Sequence, residues 1–221
     1  MAPRHPLRDP HHGPRTEVRW RFFGRGVGPE DVAPALGVGA VKAVQQVHGA
    51  RCLTITDAGQ DTGTEDADAL ATAAPGVALA VRTADCAPVL LWDAAVPAVA
   101  AAHAGWRGAL AGALEAALGA LAALGARDIR AAIGPCIGPA SYAVSPGFEA
   151  PFIEEDPCAA TFFRDGRFDL PGYAAFRLAR AGVTRIAQAG ADTFAQSEHF
   201  HSFRRDGAAA GRQISAICIA P

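Results

Sequence analysis

The sequence is poor in lysine, in charge and in long apolar runs. Of its 20 basic residues only Lys42 is a lysine. Arginine stands in for lysine and 52 alanines stand in for larger aliphatics, a pattern of G+C-rich coding that carries no functional weight. Charged residues make up 19% and the formal net charge is −2. A binder of nucleic acid or of an anionic membrane would carry a basic excess, so neither partner is expected. The longest apolar stretch, Ala109 to Ala126, is mostly alanine and glycine and carries Glu115. A membrane span needs roughly 20 strongly apolar residues, so this stretch reads as a buried helix. Residues 1–16 contain no apolar segment of the signal-peptide kind, which predicts a cytoplasmic protein. No CxxC or HxxxH occurs, so spacing alone defines no metal site.

What is present suits one folded unit. The 221 residues are 50% hydrophobic, enough to bury a sizeable core and too apolar for a disordered chain. The five cysteines, Cys52, Cys86, Cys136, Cys158 and Cys218, are widely spaced and odd in number, as expected of free thiols in a reducing compartment. Residues 1–16 hold four prolines, three histidines and three arginines, and read as a mobile tail. Residues 17–221 carry no obvious linker and read as a single domain, a monomer or weak homodimer.

The apolar pattern predicts interspersed strands and helices. VRWRFF at 18–23 suits a half-buried strand, a short helix follows from Glu30 to Leu36, and 51–56 is a further strand. The acidic segment from Asp57 to Asp68 lacks an EF-hand register and reads as a solvated loop, with Asp68 the exception. Val77–Arg82, Ala87–Trp92 and Val96–His103 are short apolar runs of the kind found in strands buried on both faces. Leu110, Leu114, Leu118, Leu121 and Leu124 then mark one helix stopped by Gly125. Ile129–Ile133 is another strand. Ser145–Glu155 and Leu170–Ala181 are helices, and Ile186–Ala189 and Ile214–Ile219 are late strands. Without a regular βαβ rhythm, the expected class is α+β, with layered mixed sheets flanked by helices.

Chemistry concentrates in four places. His48 lies in Gln46-Val47-His48-Gly49, and Cys86 falls in the break between two buried strands. His103 ends a strand just before Gly105-Trp106-Arg107-Gly108. Arg204 and Arg205 lie in a turn near the C-terminus. Two histidines and a cysteine at the ends of adjacent strands can converge, and borderline-soft Zn²⁺ accepts such donors, keeping a fourth position open when the site is catalytic. Each residue taken alone is more often a hydrogen-bonded or apolar core residue than a ligand. Arg107 at a helix start and Arg204 suit an anionic group such as phosphate, or merely solvate turns. Cys136, in Gly134-Pro135-Cys136-Ile137-Gly138, is a candidate rim thiol.

The ordered set QVHGA, DADALAT, RTADCAPVLLWD, AAHAGWRGAL, AAIGPCIGP with SYAV, FDL and SFRRDG with GRQIS resembles the YfiH/YlmD-type family. That family is labelled multicopper polyphenol oxidase or laccase-like, and also purine nucleoside phosphorylase. The likeness runs from Val44 to Ile219. It implies a layered α+β fold and a zinc ion, with copper the other metal to consider, held by His48, Cys86 and His103. It also implies phosphorolysis of adenosine, inosine, guanosine and S-methyl-5′-thioadenosine, and deamination of adenosine. Arg107 and Arg204 would then bind substrate, a purine nucleoside with phosphate, and Asp68 and Asp85 would orient the ligand histidines.

The chain departs from the family in a shortened segment before QVHG, which contains no asparagine, in Asp192-Thr193 where a Cys-Thr pair is common, and in His201. The H-x-E and P-C-x-x-C signature of nucleobase deaminases is missing. Three other readings stay open on the residues alone: a Cys86-dependent hydrolase acting on cell-wall precursors, a non-catalytic zinc- or copper-binding protein, and a copper-dependent phenol oxidase. The last would need several copper centres, and the chain has seven histidines, three of them in the first 16 residues.

Overall fold

A computed structural model describes residues 17–221, so the expected tail at 1–16 lies outside the described residues. In chain order the elements are β1 (Val18–Phe22), α1 (Pro29–Leu36), β2 (Ala40–Lys42), β3 (Cys52–Ile55), β4 (Ala69–Thr72), β5 (Val77–Thr83), β6 (Ala87–Asp93) and β7 (Val99–Ala104). There follow α2 (Trp106–Ala111), α3 (Ala113–Ala123), β8 (Ile129–Ile133), α4 (Ala150–Glu155), β9 (Phe163–Arg164), β10 (Arg167–Phe168), α5 (Leu170–Arg180), β11 (Arg185–Gln188), α6 (Phe203–Asp206) and β12 (Gln213–Ile219). No helix of the described residues is long and apolar enough to cross a membrane.

The strands form two mixed sheets. One has four strands in the order β1-β12-β5-β2, the other six in the order β11-β8-β6-β7-β4-β3. Pairs β2–β5, β3–β4 and β8–β11 are parallel, and the remaining ladders of these sheets antiparallel. Alternation along each strand sorts side chains into layers. Leu79 and Val81 of β5 and Ile217 and Ile219 of β12 face Leu70, Leu90, Val99 and Ala101 across the gap between the sheets. Their sequence neighbours Ala78, Ala80, Ala216 and Cys218 face outward and are covered by Val32 and Leu36 of α1. The outer face of the larger sheet, with Ala69, Ala71, Val89, Leu91, Ala100 and Ala102, packs on Leu114, Leu118 and Leu121 of α3 and on α5. The order of layers is helix, sheet, sheet, helices. This is the mixed α+β architecture the apolar runs predict.

Three local expectations are corrected. The leucine stripe does not mark one helix, because Gly112 adopts a left-handed conformation (φ 97°) and divides it into α2 and α3. The helix expected from Ser145 begins only at Ala150, after Gly147 turns at φ 84°. The acidic loop runs directly into β4, whose Ala-Leu-Ala-Thr is too short and too small to register as an apolar run. Most of the chain's few aromatics gather under α5, where Phe148, Phe152, Phe163, Phe168 and Tyr173 stack edge and face. Trp106 leans on this cluster, 5.0 Å from Phe148, and so fixes the start of α2.

Asp93 closes the far end of β6. Its buried carboxylate accepts hydrogen bonds from the N–H groups of Ala95, Val96, Arg127 and Asp128 at 2.6–2.8 Å. Burial alone would raise its pKa, but these four donors outweigh burial and hold it below 3.8. A carboxylate with a lowered folded-state pKa contributes stability that is present above the unfolded value and lost as pH falls through the folded one. Asp93→Asn turns an amide N–H₂ toward backbone donors and should cost about 2 kcal/mol at pH 7. The difference from wild type should shrink in acid, as read from urea melts at neutral pH and below 3.8.

β12 is the second expected point of sensitivity. It lies between β1 and β5, and all seven of its residues are buried. Deleting residues 212–221 should abolish soluble expression if the described residues fold as one unit. A truncated protein that melts cooperatively would show that they do not.

Candidate metal centre

β5 belongs to the four-stranded sheet and β6 to the six-stranded one, so the chain changes sheets within Ala84-Asp85-Cys86. The crossing is tight enough to hold Asp85 at φ +83°, a left-handed conformation rare for a residue with a side chain and one that Asp tolerates better than most. Cys86 emerges from this turn. His103 comes from the end of β7, beside it in the same sheet. His48 arrives on the loop after β2 and is itself left-handed, at φ +61°. The side-chain donor atoms of His48, Cys86 and His103 all lie within 4.8 Å of one another, and they are the one such group of three found among the described residues.

Asp68, at the entry to β4, holds this arrangement from behind. Its carboxylate is completely buried. It accepts the N–H groups of Val47, His48 and Gly49 at 3.2, 2.9 and 2.6 Å. Its Oδ1 also lies 2.8 Å from Nδ1 of His103, and its backbone oxygen accepts the His103 N–H at 2.7 Å. One carboxylate therefore fixes the His48 loop and the ring of His103 together. Burial raises its pKa, but hydrogen bonds from His103, Gly49 and His48 prevail and keep it below the ordinary carboxylate value. With Nδ1 engaged, His103 offers Nε2 to the centre of the cluster.

The three side chains also set each other's charge. Burial pushes the Cys86 thiol up, yet hydrogen bonds with His103 and His48 draw it down to about 7. Burial opposes protonation of His103, but Asp68 and Cys86 raise it to about 9. A thiolate, two imidazoles and a carboxylate behind one of them form a donor set suited to a borderline-soft cation. The same set is also suited to a thiol nucleophile.

Glycine is required opposite the cluster. A Cβ on Gly105 would lie 2.7 Å from Sγ of Cys86 and 3.1 Å from the His48 ring. This explains the first glycine of Gly105-Trp106-Arg107-Gly108 more directly than a simple turn does.

The arginines divide in role. Arg107 is exposed, with its guanidinium 5.1 Å from the Trp106 ring and no carboxylate partner among the described residues. Arg204 lies over Tyr142 at 5.1 Å and donates to the Ala143 carbonyl at 2.7 Å. Arg205 is structural, clamping the carbonyls of Thr193, Phe194 and Phe200.

Asp85 corrects an expectation. It does not orient the histidines as Asp68 does. Its carboxylate instead accepts the hydroxyls of Thr193 and Ser202 and the N–H of Arg204, at 2.7, 3.0 and 2.6 Å, tying the C-terminal segment to the Cys86 turn. Thr193 and Ser202 stand in the sequence only inside compared motifs, and their pairing with Asp85 appears only in the fold, because isolated hydroxyl residues carry no spacing signal. Cys136 is no rim thiol: it is buried, and burial drives its thiol pKa up.

The family described as multi-copper polyphenol oxidoreductase laccase matches residues 30–220. Purine nucleoside phosphorylase YfiH of Escherichia coli (strain K12) is 39% identical over 180 residues, covering 80% of this chain and 72% of that protein. A purine nucleoside phosphorylase of Pseudomonas aeruginosa is 37% identical over 182 residues, covering 80% and 73%. Among solved structures, YfiH of Bacillus licheniformis superposes with a TM-score of 0.82 at 25% identity, covering 91% of this chain and 92% of that one. Protein NMB0706 of Neisseria meningitidis gives 0.76 at 36% identity, covering 87% and 79%.

Gly105→Ala should force Cys86 and His48 apart. Affinity for a divalent transition metal, measured by competition with a chromophoric chelator, should fall at least about tenfold, as for loss of a supporting contact. The melting temperature of the metal-free protein should fall by a few degrees, since overpacking a buried contact costs about 1–3 kcal/mol.

Proposed function

Because this chain belongs to the family described as multi-copper polyphenol oxidoreductase laccase, and relatives in it are named purine nucleoside phosphorylases, we propose that it is a metal-dependent purine nucleoside phosphorylase. Its substrates are adenosine, inosine, guanosine and S-methyl-5′-thioadenosine, and it also deaminates adenosine. The observation that carries this reading is the convergence of His48, Cys86 and His103 with Asp68 behind them. Zinc is the metal favoured by one thiolate and two imidazoles, with copper second. Oxidation of phenols by several coppers is not supported, since the described residues contain one such donor group.

His48, Cys86 and Nε2 of His103 would hold the ion. When bound, zinc supplies Lewis-acid polarisation of a substrate atom. Asp68 keeps the His103 ring in one orientation and tautomer through Nδ1. Arg107, exposed and without a carboxylate partner among the described residues, and Arg204, on the turn tied to Asp85, hold phosphate against the sugar. In phosphorolysis a phosphate oxygen bonds to C1′, the C1′–N9 bond breaks, and the base leaves with the electron pair and takes up a proton. In deamination, water adds at C6 and ammonia leaves.

The cluster geometry favours one competing reading, a hydrolase with Cys86 as nucleophile and His103, backed by Asp68, as base. Cys86→Ser separates the two. The hydroxyl stays protonated near pH 7, so the centre loses its soft anionic ligand. Metal content by elemental analysis should fall from near one ion per chain to near zero. Chromatography should show phosphate-dependent release of adenine and hypoxanthine, and inosine formation, lost together. A variant with full metal and no activity would favour the nucleophile. A fully active variant would remove Cys86 from the chemistry.

A further inference from the structure

Among the described residues, two large hydrophobic side chains are exposed: Val47 at 48% and Phe203 at 54%. A single exposed apolar residue needs no explanation, but these two flank the same turn. The Gln46 side chain bonds both the N–H and the carbonyl of Arg82 at 2.8 Å, which pins Val47 to one side of the end of β5. On the other side Gln213 of β12 pairs with Thr83. There Ser202 and Arg204, the residues on either side of Phe203, both donate to Asp85. Val47 and Phe203 therefore bracket the segment that delivers Cys86, each one residue from a group already placed at the site, His48 or Arg204.

The Phe203 ring also has a neighbour that restrains it. The Arg212 guanidinium lies over it at 5.9 Å and is itself held by the carbonyls of Ala210 and Gly211 at 2.7 and 2.9 Å. A ring restrained before binding loses less freedom when it stacks. The polar groups of the centre can address the edges of a heterocycle and its sugar and phosphate, but a purine also has two flat faces that gain from leaving water.

We infer that Phe203 is the stacking platform for the nucleobase and that Val47 is its second apolar contact. This rests on the nucleoside reading above. Stacking does not read the exocyclic group, so adenosine and inosine should depend on Phe203 equally.

Phe203→Ala should raise KM for both nucleosides about tenfold, the scale of losing one base stack. kcat, KM for phosphate and bound metal should stay within about twofold, and Phe203→Trp should restore KM. Val47→Ser should raise KM about threefold, as for partial loss of a small apolar contact. An unchanged nucleoside KM in Phe203→Ala, or a parallel loss of metal or phosphate binding, would overturn the assignment. A second measurement needs no turnover. Free adenine should quench the added fluorescence of Phe203→Trp relative to a Phe203→Leu background, and ribose should not. If the wild-type protein cleaves no purine nucleoside, the activity reading fails by itself, while the adenine titration still decides the stacking: quenching supports it and no quenching refutes it.

Discussion

A buried carboxylate is tolerable only when its charge is met from several sides. Asp68 meets that condition with three successive backbone N–H groups of the His48 loop and the His103 ring. The consequence is geometric. The loop after β2 has no regular structure of its own around His48, and a left-handed histidine would be an unstable element in isolation. It is held because the anion it wraps is anchored at the start of β4, and the same anion turns the imidazole of β7. Remove that one group and two of the three convergent donors lose their reference point.

Alanine has a related architectural role. β7 reads Val-Ala-Ala-Ala-His-Ala, and its neighbours β4 and α3 are also dominated by small residues. Small side chains let helix and sheet approach closely, and the bulk needed to fill the core is supplied elsewhere, by the leucines of α3 and the aromatic cluster under α5. Coding bias and close packing are compatible here because the large residues are concentrated rather than spread.

The layers were largely legible in the sequence, since runs such as Ala87–Trp92 and Ile214–Ile219 announce strands covered on both faces. The failures have physical causes. The leucine period continues across Gly112, so periodicity could not show that the backbone breaks there. β4 is four small residues following acids, and only its parallel and antiparallel partners make it a strand. At the site, the two histidines and the cysteine could be singled out because few residue types offer such donors, and the resemblance joined them into one set. Asp85 was misread because a carboxylate beside a cysteine looks like a partner for the histidines, whereas the left-handed turn sends it to Thr193, Ser202 and Arg204. Phe203 stood out only as part of the SFRRDG motif, since its exposure is invisible in a sequence.

The crossing at Ala84-Asp85-Cys86 carries one more implication. The loop carrying His48 is tied to β5 by Gln46 and to the start of β4 by Asp68, while Cys86 and His103 lie at the ends of β6 and β7 in the six-stranded sheet. Anything gripped by all three is gripped only while the His48 loop and the ends of β6 and β7 keep their mutual placement. By mass action such a guest drains the unfolded population in proportion to its own free concentration. The lifetime of the protein in a cell would thus report how much of that guest is available, so that scarcity of the ion would be felt first as turnover of the chain and only afterwards as missing catalysis.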